Sequence, residues 1–68
     1  MTIGDYLDSY SYSDSKFRWY AVYDIQDPEK RKYMTWDLDD MKDHYGTAMI
    51  KNMHLGHKGA NEILKFYI

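Results

Sequence analysis

Four aspartates, Asp37, Asp39, Asp40 and Asp43, fall within seven positions of the stretch DLDDMKDHYG (37–46). Carboxylates this close can bind a cation, share protons in acid–base catalysis, or present negative charge to a basic partner. Acid–base work needs a pocket that drives two pKa values apart, and a chain of 68 residues has little room for one. The other oxygen- and nitrogen-rich groups do not complete a metal site. His54 and His57 stand three apart, a spacing that suits two ligands on a helix, but Gly56 between them argues against a helix there, so they and His44 read as surface residues. The chain has no cysteine, which excludes disulfides and thiolate ligands. Ser9, Ser11, Ser13 and Ser15 have neither a glycine-rich elbow nor a fixed base beside them. GHKGAN (56–61) lacks the length and the following helix of a phosphate loop. The expectation is therefore a protein that is not an enzyme and holds no metal or cofactor. Charge display is what remains. All four aspartates ionise well below neutral pH. On a helix Asp39 and Asp43 would lie roughly 5–6 Å apart, of the order of the spacing between successive phosphates. The plain alternative is a solvated helix face.

Those residues need elements to hold them. Asp37 suits a helix N-cap, and Asp40 three residues later can complete a capping pattern. Leu38, Met41, Tyr45, Ala48 and Met49 recur at helical spacing. This predicts a helix from Leu38 to about Asn52 with a weak point at Gly46. KFRWYAVYDI (16–25) alternates with period two and is rich in β-favouring side chains, so it predicts a strand. QDPEKR (26–31) reads as a turn around Pro28, and RKYMTW (31–36) as the returning strand of a hairpin. MHLGHKGAN (53–61) reads as a loop and EILKFYI (62–68) as a last strand. Residues 1–15 read as a polar arm, with a short helical turn near Asp5–Tyr10. The expected fold is α+β: a three-stranded antiparallel sheet with one helix, in the order β-β-α-β, as a single domain over residues 1–68.

Composition narrows the setting. Below roughly 70–80 residues one core rarely supplies more than about 3–5 kcal/mol, so with cysteine absent self-association is the expected support. Aromatic residues make up 18 % of the chain, too many for a disordered acidic segment, and tyrosine and tryptophan are favoured at protein interfaces. The net charge of −2, with lysines and arginines scattered among acids, points away from direct nucleic-acid binding. No apolar run approaches the ~20 residues that cross a bilayer, and the first residues do not read as a signal peptide. The missing cysteines fit a reducing compartment.

Three segments together resemble a known family. DYLDSY (5–10), LDDMKDHYG (38–46) and ANEILKFYI (60–68) are similar, in that order, to segments of the small uracil-DNA glycosylase inhibitors of Bacillus phages with protein-primed linear genomes. The resemblance implies a homodimer, made early in infection in the host cytoplasm, that occupies the DNA cleft of the host uracil-DNA glycosylase as a DNA mimic. It also implies an apolar pocket at the dimer interface that takes up the enzyme's minor-groove wedge. By position the family's functional helix residues fall on Met41, Lys42 and Tyr45. Lys42 reverses a charge, so Asp39, Asp40 or Asp43 would take over its contact. The other expectations for the same residues are a DNA mimic aimed at another nuclease or restriction enzyme, and a structural dimer.

Overall fold

The computed structural model of the chain describes residues 1–9 and 19–68. Six elements follow in the order α1 (Ile3–Ser9), β1 (Trp19–Asp24), β2 (Asp27–Thr35), α2 (Leu38–Tyr45), β3 (Asn52–Lys58) and β4 (Asn61–Tyr67). The class is α+β, as expected, but with two helices and four strands in place of one and three. The sheet order is β2-β1-β4-β3. Each hairpin is antiparallel, while the inner strands β1 and β4 run parallel, with Trp19 opposite Ile63 and Tyr23 opposite Tyr67. The sheet is therefore mixed.

Both helices lie on one face of the sheet. Ile3 and Leu7 of α1, Met41 of α2, Tyr20 and Val22 of β1, and Leu64 and Phe66 of β4 close into one core. Complete burial of each such side chain is worth about 1.5–3 kcal/mol. Tyr6 adds an edge-on contact to Phe66, with ring centroids 5.8 Å apart.

The arm expected over residues 1–15 is, in its first part, a core helix; residues 10–15 lie outside the described residues, as do Phe17 and Arg18 of the expected first strand. Thr2 starts α1 with a reciprocal cap. Its hydroxyl accepts from the Asp5 N–H (3.1 Å), and the Asp5 carboxylate accepts from the Thr2 N–H (3.2 Å). Charged Asp5 between Ile3 and Leu7, and Asp8 just after them, give the segment a polar look, although an i, i+4 pair is enough to dock one short helix.

The docking of α1 also shortens α2. The Gly4 N–H donates to the Gly46 carbonyl and the Ile3 N–H to the Ala48 carbonyl, both at 2.9 Å. A methyl group on Gly4 would sit 2.8 Å from that Gly46 oxygen, so only glycine lets the two backbones meet. The helix expected to reach Asn52 therefore stops at Tyr45, and Ala48 and Met49 belong to the segment that pairs with residues 2 and 3.

Two further corrections concern strands. The turn of the first hairpin is Ile25–Gln26, set by the Asp24 carboxylate accepting from the Gln26 N–H (3.0 Å). The expected turn residues Asp27–Lys30 belong to β2. Pro28 is tolerated there because β2 is an edge strand with no ladder to complete on its outer side. The expected loop over 53–61 is mostly β3, and its turn falls at Gly59, the residue at φ +64°. Histidines, Gly56 and Lys58 hid its alternation, and the backbone ladder to β4 supplies what its side chains do not.

Candidate partner-binding surface

Folding sorts the charges between the two layers. The helices and the α2 cap hold six carboxylates, Asp5, Asp8, Asp37, Asp39, Asp40 and Asp43, and one lysine, Lys42. The four strands hold four carboxylates and five basic residues. The surface of the helix layer is thus strongly acidic in a chain whose net charge is only −2.

The N-terminus of α2 is built as the sequence implied. The Asp37 carboxylate accepts from the Asp39 N–H (3.0 Å), and the Thr35 hydroxyl, at the end of β2, accepts from the Asp37 N–H (3.1 Å). Asp40 does not complete this cap. Its carboxylate instead accepts a short hydrogen bond from the Tyr33 hydroxyl and lies 3.1 Å from His44 Nδ1. The His44 ring stacks on Tyr33 at 4.8 Å, and the Tyr45 ring lies tilted 5.6 Å from Tyr33. Tyr33, Asp40, His44 and Tyr45 thereby pin α2 to edge strand β2.

The other sequence-derived residues separate into three kinds. Asp39 and Asp43 are exposed and have no ion pair among the described residues. Lys42 is half-buried and salt-bridged to Asp8 of α1 at 2.6 Å, so its charge is balanced inside the same chain. Met41 is 0 % exposed and belongs to the core beneath α1, closed off from any partner surface. His54 and His57, three apart on β3, point to opposite faces of the sheet.

Hydrogen bonds shift two carboxylates, a lysine and a tyrosine of this surface. Asp5 is held below the ordinary carboxylate range by the Thr2 backbone N–H and then its hydroxyl. Asp40 is lowered chiefly by the Tyr33 hydroxyl. Lys42 is raised, first by its hydrogen bond to Asp8. Tyr33 is pushed up to about 12, first by donating to Asp40 and then by partial burial and the Asp40 charge.

The last shift gives an expected result. Because the folded pKa of Tyr33 lies above its ordinary value of 10.0, its contribution to stability is present below pH 10 and is lost as pH rises toward 12. An absorbance titration of tyrosinate should lose the amplitude of one tyrosine from its late phase in Tyr33→Phe, with the earlier phase unchanged. A late phase of unchanged amplitude in Tyr33→Phe would show that Tyr33 does not ionise late.

These features describe a small two-layer α+β module with an acidic helical side. Comparison with protein-family profiles, with characterised proteins and with solved structures finds no match to the chain. Among the described residues no helix is long and apolar enough to cross a membrane.

Proposed function

We propose that the chain is a non-catalytic, phage-encoded inhibitor that presents its acidic helix layer to the DNA cleft of a host uracil-DNA glycosylase, acting in the host cytoplasm. The observation that carries this reading is the sorting of charge: six carboxylates on one side of the molecule, with the only lysine among them already paired to Asp8. Asp39 and Asp43, one helical turn apart and exposed, are the pair that would stand in for neighbouring phosphates. Asp40, tied to Tyr33 and His44, fixes the helix that carries them. The choice of target comes from the three segments that resemble the phage inhibitors.

Two parts of the resemblance take a different form here. Met41 lies inside the core, so the contact with the enzyme rests on the carboxylates and on half-buried Tyr45. Homodimerisation is also part of the proposal. Since α1 covers α2 within one chain, a second copy would join at edge strand β3, where Leu55 is 53 % exposed. The closed Met41 site favours one further reading: a DNA mimic aimed at a nuclease or restriction enzyme that inserts no wedge into DNA.

The test is a uracil-excision assay with purified glycosylase. Inhibition should be stoichiometric, and the inhibited enzyme should elute with the protein as one complex. Sedimentation of the free protein should give twice the 8.2 kDa chain mass. Full enzyme activity at a large excess of the protein in low salt would reject the glycosylase as target. A monomer in sedimentation would remove the dimer and leave the charge reading in place.

A further inference from the structure

The face of the sheet opposite the helices has a chemistry unlike that of the rest of the molecule: Ala21 and Ile63 are buried at its centre, and the aromatic and basic side chains around them are half-buried or exposed. Strand register places Trp19, Ala21 and Tyr23 of β1 on this face, with Ile63, Lys65 and Tyr67 of β4 beside them. Met34 and Arg31 of β2 stand opposite Ala21 and Tyr23, and His54 and Gly56 of β3 stand opposite Lys65 and Ile63. The aromatic rings form two stacked pairs. Trp19 and Trp36 lie 5.3 Å apart at 19°, and Tyr23 and Tyr67 lie 5.4 Å apart at 30°. Trp36 forms the outer member of its pair and is 69 % exposed.

Two cations lie among these rings. Lys65 Nζ is 5.7 Å from the centre of the Tyr23 ring. It can lie there because Gly56 has no side chain; a methyl group on Gly56 would stand 3.3 Å from Lys65 Cε. Arg31 donates toward the Met34 sulfur at 3.5 Å and so stays on the same face. None of the residues that the register pairs on this face is a carboxylate, and Glu29, two residues along β2 from Arg31, is the nearest acid in that strand.

We infer that this face binds single-stranded nucleic acid. Flat, exposed aromatic rings take stacked bases, and cations beside them take the phosphates. An open sheet bearing aromatic side chains is a geometry suited to splayed-out single strands rather than to a closed duplex. A second copy is the competing occupant, and charge argues against it. Two such faces packed about a twofold axis would bring Lys65 and Arg31 of one copy against the same two cations of the other, with Glu29 near Arg31 as the one acid of β2 at hand. The inference uses the layer opposite the acidic helices and does not rest on the inhibitor reading.

The experiment titrates the full chain with a dye-labelled oligothymidylate and with a duplex of the same length, following tryptophan fluorescence and dye anisotropy. The single strand should quench tryptophan emission, bind more tightly than the duplex, and weaken steeply with added salt. Trp36→Ala should lower affinity roughly tenfold or more, as loss of a stacking ring does, and Trp36→Phe should retain most of it. Lys65→Glu should weaken binding and reduce its salt dependence. Circular dichroism of each variant confirms the fold, since Trp36 is exposed and outside the core. No quenching in low salt at high protein concentration would overturn the inference, as would equal affinity of parent, Trp36→Ala and Lys65→Glu. A Trp36→Ala variant that halves the sedimenting mass, from a parent that binds no oligonucleotide, would assign the face to a second copy instead. The two readings separate by variant: Trp36→Ala should inhibit the glycosylase as the parent does, and an Asp39→Asn, Asp43→Asn double variant should bind the oligonucleotide at least as well.

Discussion

Replacing Met41 by alanine is expected to unfold most of the protein at room temperature. The side chain is fully buried between α1 and the sheet, in contact with the cluster that contains Ile3, Leu7 and Phe66. Truncating a buried methionine costs about 2–5 kcal/mol, and a domain of this size has about 3–5 kcal/mol in all. Urea denaturation followed by circular dichroism should show the midpoint collapsing toward zero denaturant. Met41→Leu, which conserves volume, should cost less than about 1.5 kcal/mol and should inhibit as the parent does. The pair of variants separates the roles that sequence and structure assign to this residue. If Met41→Ala stayed folded with a normal midpoint and lost inhibition, Met41 would be a partner contact and the core assignment would fail.

The second large effect is expected from charge. Asp39→Asn with Asp43→Asn removes the two exposed carboxylates of α2 and leaves the Asp37 cap and the Asp40–Tyr33 bond intact. Thermal stability should be nearly unchanged. Association with the glycosylase should slow by roughly tenfold or more in low salt, because steering by a charged surface raises encounter rates by that order. The difference from the parent should shrink as salt is added, since screening removes the same attraction. Stopped-flow mixing across a salt series measures both. Identical association rates at every salt concentration would return Asp39 and Asp43 to a solvated face with no partner.

The parts of this molecule that were legible in its sequence are those governed by local rules. Asp37 reads as a cap because its neighbours are a strand end and an apolar helical stripe, and it caps. Trp19 to Asp24 reads as a strand because period two and β-favouring residues coincide, and it is one. The shift of the first turn to Ile25–Gln26 is local, set by Asp24, but the other misreadings come from contacts distant in the chain. Helix α2 stops at Tyr45 because the backbone of Gly4 reaches Gly46, a contact that no property of residues 46–52 announces. Strand β3 has one large aliphatic residue, Leu55, and is a strand because β4 supplies its ladder. The parallel joining of β1 to β4 is set by how two hairpins dock on the helices, and neither strand encodes its neighbour.

At the candidate surface the same division holds. The acidity of residues 37–43 was visible, but the salt bridge from Lys42 to Asp8 and the interior place of Met41 depend on α1, which looked like a polar arm. The aromatic sheet face was half visible. Alternation put Trp19, Ala21 and Tyr23 together, yet Lys65 and Gly56 join them only through strand pairing, and Trp36, one residue past β2, through its stack on Trp19.

Placing β4 in the middle of the sheet also governs when the molecule can become stable during its own synthesis. Residues 61–67 leave the ribosome after the other described strands, and without them β1 and β3 have no common neighbour. The nascent chain can form the first hairpin and α2, but Tyr20, Val22 and Met41 then face solvent where Leu64 and Phe66 will later sit. Closure must wait for β4, and pairing between strands so far apart in sequence is slow compared with local structure. The interval is one in which apolar surface and strand edges are open to aggregation or to proteases.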